Sequence, residues 1–251
     1  MARSADIRAF LEIGVELLVG DLLQHAGPDP DGASPAAVLF RGLSRQRLVE
    51  KGAALRAAGR LAGTTTSESQ FKDRWRYADR YTEDLIAYLF RLDLYRAHLQ
   101  DVRAALAGEL AGASLGRVVD LISEQEVQQT AYDPLVALQA LLQRALPNHP
   151  KVTAHARALY DELLPEWARV YEALFARYGL ALAPGHTWLD VGELFNTVVE
   201  GSAQRILADD ARVRLSNGCG ILAASVRLMI ASLASLPPGT SLDELHPVAP
   251  S

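Results

Sequence analysis

The chain has 251 residues, of which 49% are apolar and 7% aromatic, and its formal net charge is −5. The apolar fraction excludes an intrinsically disordered chain, and the single cysteine, Cys219, excludes a disulfide scaffold and a thiolate zinc site. No run of 18 uncharged apolar residues occurs, so no transmembrane helix is expected. The first six residues, which include Asp6, do not resemble a signal peptide, and we expect a cytoplasmic protein.

Helix is the expected secondary structure throughout, because Ala, Leu, Arg and Glu dominate and strand-like alternation is rare. The apolar spacing predicts a first helix over residues 5–25 and a second over 44–58. Ser67 and Gln70 have the spacing of a capping box, which predicts a short helix over 67–75.

The rest of the chain is predicted to be helical as well. A long helix is expected from Thr82 to about residue 111. Further helices are predicted over 115–129, 134–146, 151–178, 187–209 and 219–235, followed by a C-terminal tail at 237–251.

The charge is unevenly distributed along the chain. Residues 36–80 contain ten cations and four anions and carry a charge of +6, which leaves −11 on the remainder. A basic segment is therefore joined to an acidic body. Such a segment is either a solvated helix surface or a phosphate-binding surface, and charge alone does not decide between them.

The short helix over 67–75 lies in this basic segment. Phe71 and Trp75 are four residues apart and are predicted to anchor one face to a core. The opposite face carries Ser69, Lys72, Asp73 and Arg76, with Gln70 at the side. Small polar and basic side chains on an exposed helix face are suited to reading the DNA major groove, as in a helix-turn-helix unit. A short surface helix held by two aromatic residues remains the alternative interpretation.

The sequence resembles the TetR/AcrR-type transcriptional regulators. Residues 66–75 are similar to the recognition helix of that family, and residues 81–86 are similar to the start of its connecting helix. The segments similar to the late helices of the family are 160–167, 198–201 and 223–228.

This resemblance implies an all-α protein with a helix-turn-helix DNA-binding domain at 1–83 and a helical-bundle ligand-binding and dimerisation domain at 84–236. It implies a ligand-responsive regulator, expected to be a repressor, that binds operator DNA as a homodimer through helices near 188–208 and 219–235. The predicted DNA contacts are Thr66, Ser67, Ser69, Gln70, Lys72, Asp73, Arg76, Arg45 and Arg47.

The DNA-binding segment departs from the family pattern. Lys72 stands where the family usually has a Tyr that contacts phosphate, and Thr82 stands where it usually has a Lys. About four additional residues, 76–79, separate the two. The sequence also leaves two possible assignments for the second helix of the DNA-binding unit. Either residues 5–25 are the first helix and a long insertion follows, which we prefer, or residues 45–58 take part of that role.

An effector pocket is expected in the acidic body. Trp167, Tyr171 and Phe175 follow one another at four-residue intervals and form a stripe, which is typical of core packing as well as of a ligand pocket. The candidate ligand-binding residues are Tyr88, Tyr95, His98, Tyr132, Trp167, Tyr171 and Phe175. A mostly apolar pocket with a few polar groups would suit a small hydrophobic effector.

Enzymatic activity is not expected, and neither is a cofactor or a metal. The six histidines form no zinc-protease helix motif, and Cys219 at the start of an apolar helix is expected to be a small buried residue. Residues 112–116 match Gly-x-Ser-x-Gly, but a helix rather than a strand is predicted before them. The alternative functions are a helical small-molecule-binding or protein-interaction module without DNA binding and, more remotely, a helical enzyme.

Overall fold

A computed structural model of the chain describes residues 5–23, 43–61, 66–209, 213–234, 236–237 and 239–248. In these residues the predicted all-α class is confirmed, and β-pairing is confined to one isolated bridge between Arg214 and Gly220. None of the helices in these ranges is both long and apolar enough to span a bilayer.

The described residues form ten α-helices. They are α1 (Ala5–Leu18), α2 (Arg45–Ala57), α3 (Glu68–Arg74), α4 (Ala78–Leu89), α5 (Arg96–Ala107), α6 (Leu115–Tyr132), α7 (Pro134–Ala145), α8 (Pro150–Arg177), α9 (Trp188–Ala208) and α10 (Ile221–Leu233). A π-helical turn, Val19–Leu23, extends α1.

The helices are divided between two compact units. The first unit contains residues up to Arg91 together with 134–158, and the second contains 92–133 and the residues from Leu159 onward. Helix α8 therefore contributes to both units. Residues 134–158, which the sequence-based division assigns to the ligand-binding domain, pack with the N-terminal helices in the structure. The functional division at residue 83 stays a prediction.

Local caps determine where the helices of the first unit begin. The Ser44 hydroxyl accepts a hydrogen bond from the Arg47 amide at the start of α2. At α3 the predicted capping box is confirmed: the Ser67 hydroxyl accepts from the Gln70 amide, and the Gln70 side-chain oxygen accepts from the Ser67 amide at 2.9 Å. These bonds satisfy amides that have no partner within the helix, so a helix as short as α3 has a fixed start.

An aromatic cluster forms the core around α3. Its members are Phe10 of α1, Phe71 of α3, Trp75 directly after α3, and Tyr81 of α4, and all four are buried. The ring centroids lie 5.1–5.8 Å apart, mostly in edge-to-face or tilted arrangements. The Trp75 indole N–H also donates to the Asp84 carboxylate at 2.9 Å. The prediction that Phe71 and Trp75 anchor the short helix is therefore confirmed.

The predicted long helix from Thr82 to residue 111 is wrong. Helix α4 already begins at Ala78 and ends at Leu89, and α5 begins only at Arg96, after a 3-10 turn at Leu92–Leu94. In a continuous helix the Leu89 carbonyl would accept from the amide of residue 93. It accepts instead from the side-chain amide of Gln139 in α7, a buried interaction that local sequence does not show.

In the second unit, α6 packs against α9 and α10, and the second part of α8 completes the core. Helix α8 continues through Pro165, and α9 begins with a second capping box between Thr187 and Asp190.

Part of the predicted C-terminal tail is also packed on this unit. Leu242 is buried, the Leu115 amide donates to the Leu245 carbonyl, and Asp243 pairs with Arg227 of α10 at 3.0 Å.

Candidate functional site

Helix α3 presents the predicted polar face to solvent. With Phe71 directed into the aromatic cluster, Ser69, Lys72 and Asp73 are exposed, and Arg76 is exposed in the following turn. Ser67 and Gln70 are half-buried and hold each other in the capping box, so their oxygen atoms are engaged within the helix. The sequence thus identified the exposed face of this helix.

Two of the predicted DNA contacts have other roles in the structure. Thr66 is only 5% exposed, and its hydroxyl accepts a hydrogen bond from Arg56 at 2.8 Å. A Cβ atom at Gly52 of α2 would collide with this hydroxyl, so Thr66 packs closely on α2 and is not on the surface. Arg47 donates from both terminal nitrogens to the Asp21 carboxylate, each at 2.8 Å, which holds α2 to the π-helical turn.

Carboxylates that lie outside the basic segment, on α1, its π-helical turn and α4, neutralise much of its positive charge. Lys51 and Arg60 both pair with Glu16 of α1, and Arg74 pairs with Asp84 of α4 at 3.3 Å. Among the described residues of the segment, the exposed cations without a carboxylate partner are Arg45, Lys72, Arg76 and Arg80. Exposed acids stand near them at Glu68, Asp73 and Asp79.

The second unit contains a small, partly open cavity among its helices, here called the internal cavity. Its volume is about 60 Å³, and its walls are mainly apolar side chains from α5, α6, α8, α9 and α10. Two predicted ligand-binding residues line it: the rings of Trp167 and Tyr171 are stacked, with centroids 5.8 Å apart and planes 18° apart. The ring of Phe195 meets Tyr171 edge-on at 4.8 Å and closes the aromatic wall.

One ionisable pair lies at this cavity. The His98 ring nitrogen Nε2 is 2.8 Å from the Glu126 carboxylate, and Glu126 lines the cavity. Burial opposes protonation of His98, but the hydrogen bond to Glu126 and the negative charges of Glu126, Asp101 and Asp133 together outweigh it, so the pKa of His98 is raised. The His98 ring also lies 6.0 Å from that of Trp167. Burial raises the pKa of the Tyr171 hydroxyl, which keeps that side chain neutral.

The other predicted ligand-binding residues do not line the cavity. Phe175 is fully buried against Trp188 in the core of the second unit. Tyr132 is 56% exposed, and Tyr95 is half-buried at the start of α5. Tyr88 belongs to the first unit, where it lines a small separate pocket with Ile7 and Leu11. The aromatic stripe has core packing and a ligand pocket as its two interpretations, and core packing applies to Phe175.

Glu126 and Phe195 were missed by sequence reasoning. A signal for Glu126 was present, because Val119, Ile122 and Glu126 share one face of α6 by their spacing, which places a carboxylate on an apolar stripe. Phe195 carried no comparable signal, because its contact with Tyr171 joins two separate helices.

Compared with known proteins, the chain matches no protein-family model, no curated protein and no solved structure.

Proposed function

We propose that the protein is a ligand-responsive DNA-binding transcriptional regulator of the TetR/AcrR type, acting as a repressor. The observation that carries the proposal is the way in which α3 is held in place within the first unit. Its start is fixed by the Ser67–Gln70 capping box, and its inner side is fixed by Phe71 and Trp75. A helix held at both places presents its outer side chains in a defined orientation, as major-groove reading requires.

The exposed side chains of this region have the chemistry for base and phosphate contacts. Lys72 and Arg76 can donate to guanine, and Asp73 can accept from the amino group of cytosine. Ser69 can reach phosphate, and Arg45 and Arg80 supply further positive charge. Thr66 and Arg47 are omitted from the proposed contacts, because the structure engages both side chains within the first unit.

We propose that the effector binds in the second unit, because this unit contains a mostly apolar cavity with one carboxylate. We propose that effector occupancy acts through α8, because this helix carries Trp167 and Tyr171 and also contributes residues 150–158 to the first unit. An effector regulates DNA binding only if it binds one conformation of the protein better than the other.

A homodimer is proposed because two recognition helices must meet two half-sites of an operator. Helix α10 offers an uncharged outer face. Its one charged residue, Arg227, pairs with Asp120 and Asp243, whereas Leu228 is 75% exposed. The neighbouring α9 exposes Leu189, Leu194 and Leu207. An uncharged helix face with an exposed leucine is suited to packing against a second copy of itself.

The proposal is tested with duplex DNA selected from a randomised library by the wild-type protein. The variant K72A/R76A is compared with R8A/R60A, which removes the same charge from the first unit at residues that pair with Glu12 and Glu16. Loss of two base or phosphate contacts should weaken binding of the selected duplex by at least about 30-fold. Equal affinity of both variants for the DNA, or failure of the wild-type protein to select any sequence, contradicts the proposal.

One observation favours the alternative of a small-molecule-binding or protein-interaction module without DNA binding. Pairing with Glu16, Asp21 and Asp84 removes much of the positive charge that the sequence indicates for the basic segment. The salt dependence of DNA binding distinguishes the two functions.

A further inference from the structure

The second unit has a larger, second cavity, here called the outer pocket. Its volume is about 390 Å³, and it is lined by the middle of α6, the C-terminal part of α9, residues 213–220 and the first turn of α10. Pockets for small molecules have volumes of about 300–1,000 Å³. A small molecule therefore fits the outer pocket, whereas the internal cavity of about 60 Å³ holds only a small part of one.

The outer pocket and the internal cavity adjoin each other. Ser123 of α6 and Leu222 of α10 line both of them, so these two side chains stand between the two spaces. The outer pocket is the more polar of the two, and the internal cavity is almost entirely apolar.

The charges at the outer pocket are compensated by ion pairs. The Asp120 carboxylate accepts from two nitrogens of Arg227, at 2.9 and 2.7 Å, and Glu124 pairs with Arg214 at 3.4 Å. Neither an anionic nor a cationic ligand would therefore find an unpaired counter-charge among these groups. A ligand that carries no charge avoids the cost of desolvating an ion in this pocket.

Two buried hydroxyl groups of the outer pocket are available to a ligand. Ser123 and Ser202 line the pocket, although their residues are only 6% and 4% exposed. No hydrogen bond joins either hydroxyl to another residue that the structure describes. Every completely sealed side-chain oxygen or nitrogen in the described part of the chain has a partner, so these two hydroxyls open onto the pocket.

We propose that the outer pocket binds an uncharged amphipathic small molecule. Its polar head forms hydrogen bonds with the hydroxyls of Ser123 and Ser202, and its alkyl end passes between Ser123 and Leu222 into the internal cavity. This proposal rests on the ligand-binding half of the proposed function. It is independent of DNA binding, because the measurements below use the full chain without DNA.

The probes are 1-alkanols from propanol to octanol, with alkanoates and alkylammonium ions of equal chain length for comparison. Calorimetric titration should show that alkanol affinity rises by about fourfold for each added methylene. The increase should stop once the small internal cavity is filled. The charged probes of equal length should bind at least tenfold more weakly.

A variant that fills the outer pocket tests the location. A Cβ atom at Gly220 meets no heavy atom within 4 Å, and the backbone there has an ordinary extended conformation. Gly220→Leu should therefore fold and should lower alkanol affinity at least tenfold. Gly112→Leu is the matched control, because Gly112 has equal space and does not line the pocket. Ser202→Ala should lower affinity about threefold to tenfold through loss of one hydrogen bond.

Cys219 provides an independent measurement, because it is the one cysteine of the chain and lines the outer pocket. Bound 1-hexanol should slow the alkylation of Cys219 by N-ethylmaleimide. The proposal is overturned if alkanols do not bind, if Gly220→Leu binds them as tightly as Gly112→Leu, or if Cys219 is alkylated at an unchanged rate. Tighter binding of a charged probe shows that the assigned ligand class is wrong.

Discussion

The Tyr81 hydroxyl donates a hydrogen bond of 2.8 Å to the backbone carbonyl of Phe10 and so joins α4 to α1. Both rings contact Phe71, the buried residue of α3, at centroid distances of 5.1 and 5.6 Å. The orientation of the candidate recognition helix therefore depends on how closely α4 approaches α1. Gly14 permits this approach, because a Cβ atom at residue 14 would collide with the Tyr81 hydroxyl oxygen.

We predict that Gly14→Ala lowers the free energy of unfolding by about 1–3 kcal/mol, because the added methyl group separates α1 from α4. In the Tyr81→Phe background the same substitution should cost less, since the hydroxyl oxygen that the methyl group would meet is absent. Urea unfolding of the wild-type protein, both single variants and the double variant measures this coupling. Additive effects of the two substitutions would contradict the proposed close contact.

In the described part of the basic segment, four exposed cations have no carboxylate partner, and they predict the salt dependence of DNA binding. If Arg45, Lys72, Arg76 and Arg80 of both protomers contact phosphate, log K should fall against log salt with a slope no steeper than about −7. Arg80→Ala should reduce the magnitude of the slope by about 2 in the dimer. Arg60→Ala, which removes a cation already paired with Glu16, is the control and should change the slope much less. A flat salt dependence would favour the module without DNA binding.

The raised pKa of His98 predicts a pH-dependent stability. A histidine whose pKa is higher in the folded protein contributes fully below the unfolded pKa, about 6.5, and this contribution is lost as the pH rises through the folded pKa. The difference in unfolding free energy between the wild-type protein and His98→Gln should therefore shrink as the pH rises above about 6.5.

His155 is a control with the opposite sign. Burial and the nearby Lys151 lower its pKa, so its stabilising contribution is present above about pH 6.5 and is lost as the pH falls through the folded pKa. Denaturant unfolding should be measured at pH values below and above about 6.5. The loss of unfolding free energy relative to the wild-type protein should change with pH in opposite directions for His98→Gln and His155→Gln. A parallel trend in the two variants would show that the His98–Glu126 pair does not govern the effect.

The exposure of Leu228 on α10 leads to a prediction about the oligomeric state. Leu228→Glu places a charge on the uncharged outer face of α10 and should convert the proposed dimer to a monomer, because burial of an unpaired carboxylate opposes association. Light scattering coupled to size-exclusion chromatography measures the mass. Tyr132→Glu is the control, because Tyr132 is also exposed in the second unit and lies outside the proposed interface. A monomeric wild-type protein, or an unchanged mass of Leu228→Glu, would exclude this interface.

The sequence by itself determined the helical class, most helix positions and the exposed face of α3. These features depend on residues three or four positions apart, such as Ser67 with Gln70 in the capping box and Phe71 with Trp75 on the buried side. Interactions at this separation are encoded locally, so periodicity and cap spacing suffice to predict them.

Tertiary structure decided the features that join distant parts of the chain. The Gln139 side-chain amide donates a hydrogen bond to the Leu89 carbonyl at the end of α4. Glu16 pairs with Arg60, and Thr66 is buried against α2. The cavities of the second unit are likewise enclosed by several helices at once. No local pattern specifies these partners, because a backbone carbonyl at the end of a helix accepts from whichever donor the folded chain brings within hydrogen-bonding distance.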